Sequence, residues 1–241
     1  MIGSLRQGQS DARVDTISAR TYEISNLGPI GQLRTGRLPR RLVQLMAGLA
    51  LFGFSIALMV RGALGLAPWD VLHSGLVRWL PLTLGQAIVL GSLAVLLLWI
   101  PLGERPGIGT LANAVVIGLV ADASLHLLPV LDGWPSRLLV MVAGVVLNGL
   151  ASAVYIGAQL GRGPRDGLMT GLARRTGRSL RLVRTLLEVV VLAFGLVLGG
   201  SAGLGTALFA LAIGPLTQFF LPWVTVREIG QAVPDEGSSA G

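Results

Sequence analysis

Cysteine and lysine are both missing from this 241-residue chain. Without cysteine there can be no disulfide, thiolate metal site, iron–sulfur cluster or cysteine nucleophile. Histidine occurs twice, at His73 and His126, and no H-E-x-x-H or similar ligand spacing is present. Aromatic residues make up 5% of the chain and charged residues 13%. Soluble domains run nearer a quarter charged, so too few polar groups are left to cover a soluble globule. A soluble enzyme, a disordered chain and a disulfide-rich secreted module are therefore excluded. What is abundant is hydrophobic residues, at 52%, and glycine, at 34 positions. Mean hydropathy is +0.72. Small residues let membrane helices pack closely, and the apolar runs are continuous, which excludes an alternating β-barrel pattern. The reading is an all-α polytopic membrane protein.

Six apolar segments can be drawn, over 42–60, 84–101, 108–128, 138–156, 182–199 and 205–223. Each approaches the ~20 residues needed to cross a bilayer at 1.5 Å rise per residue. Prolines 81, 101, 106, 129 and 135 punctuate their ends. Two short interfacial or re-entrant helices are expected after spans 1 and 4, over 69–80 and 165–176. Residues 1–40 and 227–241 read as polar tails, the first a disordered cytoplasmic one, and 41–130 and 131–226 as two three-span units. The net charge of +7 comes from arginine, concentrated at Arg34, Arg37, Arg40 and Arg41 and at Arg162, Arg165, Arg174, Arg175, Arg178 and Arg181. Basic residues flank the cytoplasmic ends of spans, which predicts N-in and C-in topology and argues against nucleic acid as the partner.

Shifted by 96 residues, 41–130 matches 137–226 without a gap. Gly65, Pro68, Asp70, Leu72, Gly75, Leu76 and Arg78 recur as Gly161, Pro164, Asp166, Leu168, Gly171, Leu172 and Arg174; Gly107, Gly109 and Thr110 recur as Gly203, Gly205 and Thr206. Each unit holds three spans, an odd number, so the two units must be inverted relative to each other. That plan is typical of secondary transporters.

The stretches Gly65-Leu-Ala-Pro-Trp-Asp-Val-Leu-His-Ser-Gly75, Trp99-Ile-Pro-Leu-Gly-Glu-Arg-Pro-Gly-Ile-Gly-Thr110 and Gly161-Arg-Gly-Pro-Arg-Asp-Gly-Leu-Met-Thr-Gly171 resemble the YczE/YyaS/YitT-like family of bacterial integral membrane proteins. The resemblance covers about residues 41–225. It implies a bacterial inner-membrane location and no particular substrate or reaction.

The residues that could carry function are few. In the paired Pro-x-Asp motif, Pro68 and Pro164 suit the first turn of a helix. Asp70 and Asp166 there either offset the helix dipole or contact a solute in a polar cavity. Gly107, Gly109, Gly203 and Gly205 suit close packing or a hinge, with Thr110 and Thr206 beside the same site. No strand precedes these glycines and no lysine follows, so they do not read as a nucleotide loop. Asp122, His126, Asn148 and Glu188 are polar groups expected at membrane depth, where charge is costly away from protein or water. Asp122 and His126 share a helix face, as do Arg184 and Glu188. The tryptophans at 69, 79, 99, 134 and 223 read as an interfacial belt.

The function expected is a small-solute permease working by alternating access. Asp70, Asp166, Thr110 and Thr206 are its expected solute contacts. The alternative is a non-transporting accessory or scaffold protein acting through its basic cytoplasmic loop. No enzymatic, cofactor or metal role is expected. The expected partners are the bilayer, an unidentified small solute and anionic lipid along 162–181; self-association into a homo-oligomer is left open.

Overall fold

A computed structural model describes residues 38–226, so most of both polar tails lies outside the described residues. The described chain is helical, with no strand: α1 (Leu38–Gly62), α2 (Pro68–Leu76), α3 (Leu84–Leu102), α4 (Ile108–Leu127), α5 (Trp134–Gly157), α6 (Pro164–Thr176), α7 (Leu180–Val197) and α8 (Leu204–Val224). Local signals set many of the ends. Thr83 and Gln86 form a reciprocal capping box ahead of α3, and Ser179 caps α7. Pro68 and Pro164 open α2 and α6. Gly103 and Gly177 end α3 and α6 in the left-handed conformation. α1 begins at Leu38, so the expected boundary of the N-terminal tail at residue 40 falls inside the helix.

Helices α1, α3, α4, α5 and α8 are long and apolar enough to cross a membrane. α7 has 18 residues and carries Arg181, Arg184 and Glu188, so it departs from the purely apolar span expected there.

α1 and α5 form the central pair and run antiparallel. Gly48 of α1 sits against Tyr155, Gly144 of α5 against Ser55 and Met59, and Gly62 against Arg137 and Met141. α4 lies parallel to α1, where Gly53 meets Ile117 and Ala121; α8 lies parallel to α5, where Gly149 meets Leu216 and Gly157 meets Val224. α2 packs on α7, and α6 on α3. Glycine recurs at these crossings because lipid is as apolar as leucine, which leaves close contact to hold helices together.

The backbone repeats itself at the 96-residue offset. Ala63 and Gln159 share a positive φ (49° and 56°), as do Gly65 and Gly161 (117° and 126°) and Gly103 and Gly199 (69° and 84°). The Gly-x-Gly-Thr turn of each half packs on the Gly65 or Gly161 loop of the other. A Cβ on Gly65 would stand 2.5 Å from the Gly203 nitrogen, and one on Gly161 3.2 Å from the Gly107 Cα. The Gly109 N–H donates to Leu160 and the Gly205 N–H to Leu64, each at 2.8 Å.

One interface breaks the pattern. α3 and α4 pack tightly through Gly85 and Gly118: a Cβ on Gly118 would stand 2.4 Å from the Gly85 carbonyl oxygen. No comparable packing joins α7 to α8. The residue matching Gly118 is Gly214, and nothing lies within 4 Å of where its Cβ would be.

Candidate functional site

The first turns of α2 and α6 meet in the middle of the bundle and border a cavity of ≈ 110 Å³ open to the centres of water-sized molecules. One water needs about 10–15 Å³ on that measure, so several waters or one small solute fit. α1, α3, α4, α5, α7 and α8 complete the wall. Fourteen of the nineteen lining residues form seven pairs at the offset of 96: Phe52 and Asn148, Ala67 and Gly163, Trp69 and Arg165, Ile88 and Arg184, Ser92 and Glu188, Asn113 and Phe209, Ile117 and Ile213.

The two motif aspartates are placed differently. Asp166 lines the cavity and accepts a short hydrogen bond from the Tyr155 hydroxyl. Asn113 Nδ2 lies beside both, since a Cβ on Gly163 would touch all three groups. Asp70 is buried behind the wall. It pairs with His73 Nδ1 at 3.2 Å and with Arg165 at 3.4 Å. Arg165 does face the cavity, and its guanidinium lies 5.1 Å above the Trp69 ring. Each aspartate sits in the first turn of a short helix, and Asp166 lines the cavity whereas Asp70 does not.

Thr110 and Thr206 do not line the cavity. Each accepts the N–H of the glycine three residues before it, Gly107 at 3.0 Å and Gly203 at 3.1 Å, and Thr110 donates to the Arg162 carbonyl at 2.7 Å. They close the helix starts of α4 and α8. Gly107, Gly109, Gly203 and Gly205 serve the close approach of the loops described above, and Pro68 lines the cavity while Pro164 accepts a bond from the buried Trp99 indole at 3.0 Å.

Asp122 and His126 share a face without bonding side chain to side chain. The Asp122 carboxylate accepts from the Gly85 N–H at 2.7 Å and from the Thr83 hydroxyl, closing the start of α3. His126 is exposed and bonds the Asp122 backbone carbonyl. Glu188 pairs with Arg184 at 3.0 Å on the cavity wall. Asn148 is 2% exposed and donates to Ser55 at 2.8 Å. Among the described residues no group of three acidic or histidine side chains could hold a metal ion.

Trp79, Trp134 and Trp223 are exposed, as an interfacial belt requires, but Trp69 and Trp99 are buried. Trp99 fills a slot left by a glycine, since a Cβ on Gly167 would fall 1.9 Å from its ring. The Arg174 and Arg175 side chains reach the last carbonyls of α3, at Leu102 and Pro101. Tyr155, Asn113, Ser92 and Ser152 are lining groups outside the motifs, and Trp69 and Arg165 lie inside them but read there as an interfacial tryptophan and a cytoplasmic arginine. Asn113 and Ser92 have lining partners at the offset of 96; Tyr155 and Ser152 have none.

Residues 39–222 match a family of unknown function, DUF6198. An uncharacterized protein of Haemophilus influenzae is 41% identical over 177 residues, covering 73% of this chain and 81% of that one. The uncharacterized membrane protein YczE of Bacillus subtilis is 38% identical over 178 residues, covering 73% and 83%. The uncharacterized protein YyaS of Bacillus subtilis is 29% identical over 181 residues, covering 73% and 90%. No solved structure matches.

Proposed function

The chain belongs to this DUF6198, YczE/YyaS-like family of unknown function, and we propose, from its architecture and cavity, that it is a small-solute permease of the bacterial inner membrane. In this reading it crosses the membrane six times, α7 included, as two inverted three-span units with both termini cytoplasmic. The observation that carries the proposal is the cavity where the first turns of α2 and α6 converge. Half-helices whose positive N-terminal ends meet at the midplane are how transporters built from inverted repeats hold a polar solute.

The broken pattern supplies the mechanism. In this reading the tightly packed Gly85–Gly118 seam closes the cavity towards the start of α3. At the opposite end, where α7 starts and α8 finishes, the corresponding seam at Arg181 and Gly214 is unmade. In two related halves, exchanging the two conditions opens the cavity to the other face. The described state then opens to the side of the α1 N-terminus, which is the cytoplasm.

The absence of native cysteine makes the test direct. A single cysteine replaces Ser152 in the cavity wall, and a small membrane-impermeant methanethiosulfonate is applied to intact cells and to inverted vesicles. Modification from both faces is expected. A cysteine at 152 that reacts from neither face, in protein shown to be inserted, sinks the permease reading and favours an accessory role.

A further inference from the structure

We infer that the solute is a small zwitterion, its anionic end held by Arg165 and Trp69 and its cationic end by Asp166 and Asn148; this rests on the permease reading of the same cavity.

Four charged side chains line the cavity, two of each sign. Arg184 and Glu188 satisfy one another. Arg165 and Asp166 are adjacent in sequence yet do not pair. Arg165 turns towards Asp70 and the Trp69 ring, and Asp166 towards Tyr155. Opposite charges are thereby held apart on one wall of one small space. Arg165 has five N–H donors and gives Asp70 a long bond, at 3.4 Å. The carboxylate of Asp166 has about four acceptor positions, of which the Tyr155 hydroxyl takes one.

Two neutral groups in the same lining are unsatisfied. The indole Nε1 of Trp69 is a buried donor without a partner, and Asn148 Oδ1 is a buried acceptor without a partner. Both residues are more than nine-tenths buried. A buried polar atom left unbonded costs free energy, so each of these marks a place where a guest atom belongs. The free donor lies with the guanidinium, which stands over the same indole ring. The free acceptor lies on the α5 face that also bears Ser152 and Tyr155, and Tyr155 leads to Asp166. The cavity is therefore bipolar. Its donor pole suits a carboxylate, helped by the N-terminal dipole of α2, while Asp166 in the first turn of α6 offsets the dipole of that helix. Its acceptor pole suits an ammonium.

A guest with one charge leaves the opposite pole desolvated with only its protein partner, the long bond to Asp70 for Arg165 or the Tyr155 hydroxyl for Asp166, and an incompletely satisfied buried charge is costly. A wholly neutral guest leaves both so. A zwitterion neutralises each pole and leaves the local net charge unchanged. The apolar remainder of the wall, with Ile88, Ile117 and Ile213, and the ≈ 110 Å³ of space limit it to a short hydrocarbon framework.

The test compares guests by their protection of a cysteine at 152 in the purified protein at pH 7. L-Alanine, β-alanine and γ-aminobutyrate are set against propionate, isopropylamine and glycerol at equal millimolar concentration, with the rate of methanethiosulfonate modification as readout. At least one zwitterion is expected to protect about tenfold better than either singly charged guest. In Arg165→Gln the zwitterion should lose its advantage over isopropylamine, and in Asp166→Asn its advantage over propionate. Equal protection by propionate, isopropylamine or glycerol overturns the inference, as does protection by no zwitterion. The core comparison needs neither charge variant, so it survives if one of them misfolds. The failure of this inference is separable from failure of the permease reading. A cysteine at 152 reachable from both faces but indifferent to zwitterions removes only the former, while one reachable from neither removes both.

Discussion

Arg41 and Arg137 each close the C-terminus of the helix that the other one begins. Arg41, in the first turn of α1, donates from Nε to the Ala158 carbonyl at 2.9 Å and from Nη2 to Gln159 at 2.6 Å, at the end of α5. Arg137, in the first turn of α5, donates from Nε to Gly62 at 3.0 Å and from Nη2 to Ala63 at 2.7 Å, at the end of α1. The second carbonyl in each case belongs to one of the positive-φ residues, Gln159 or Ala63. Orphan carbonyls at a helix end need donors, and a planar guanidinium reaches two at once where an ammonium does not.

Arg41→Lys should therefore destabilise the protein by about 1.5–3 kcal/mol, the scale of a hydrogen bond to a charged group. Arg137→Lys should cost less, because its outer bond is exposed whereas Arg41 is 2% exposed. Thermal unfolding of the two purified variants checks the order. Equal and negligible shifts would show that the exchange is ornamental.

Gly118→Ala should lower the unfolding temperature strongly, since the added methyl group collides with the Gly85 carbonyl; overpacking of this kind costs about 1–3 kcal/mol. Gly214→Ala should be neutral or stabilising, because it meets nothing and alanine favours a helix by up to about 1 kcal/mol over glycine. The same pair of melting curves settles both halves of this prediction.

Cysteines introduced together at Arg181 and Gly214 should form a disulfide under mild oxidation only when the α7–α8 seam closes. Once formed, the link should confine modification of a third cysteine, at Ser152, to the face opposite the α1 N-terminus. If modification continues from both faces after cross-linking, the seam does not govern access.

Tyr155→Phe and Asp166→Asn should be strongly non-additive. Their hydroxyl–carboxylate bond is internal to the site, and bonds to charged groups are worth about 1.5–3 kcal/mol. A double-mutant cycle on unfolding free energy measures the coupling, and a value near zero would remove Tyr155 as the partner that steadies Asp166.

Thr110→Val and Thr206→Val should each lose about 1 kcal/mol as helix-start bonds disappear. Neither should change how a bound guest protects a cysteine at 152. Loss of that protection with the melting temperature unchanged would return the threonines to the solute.

The helix ends are legible in the sequence where local chemistry sets them. The span read over 84–101 is α3, Leu84–Leu102, bracketed by a capping threonine and a left-handed glycine, and that over 108–128 is α4, Ile108–Leu127. What periodicity and spacing could not supply is tertiary choice. The spacing of Asp122 and His126 puts them on one face but says nothing of the α3 start that takes the carboxylate. The preference of tryptophan for interfaces is an average. Gly167, far along the chain from Trp99, is what allows that ring to turn inward. The cavity was half legible: the Pro-x-Asp repeat points to it, whereas Trp69, Arg165 and Asn113 emerge only when the halves are folded together.

The lining described above sets unlike residues at most matched positions: Phe52 corresponds to Asn148, Ile88 to Arg184, Ser92 to Glu188, and Asn113 to Phe209. A cradle made of two identical halves would accept a lopsided guest head-first or tail-first with equal ease. These substitutions remove that degeneracy. The duplicated scaffold can keep the motion reversible while the diverged side chains fix which end of the passenger leads.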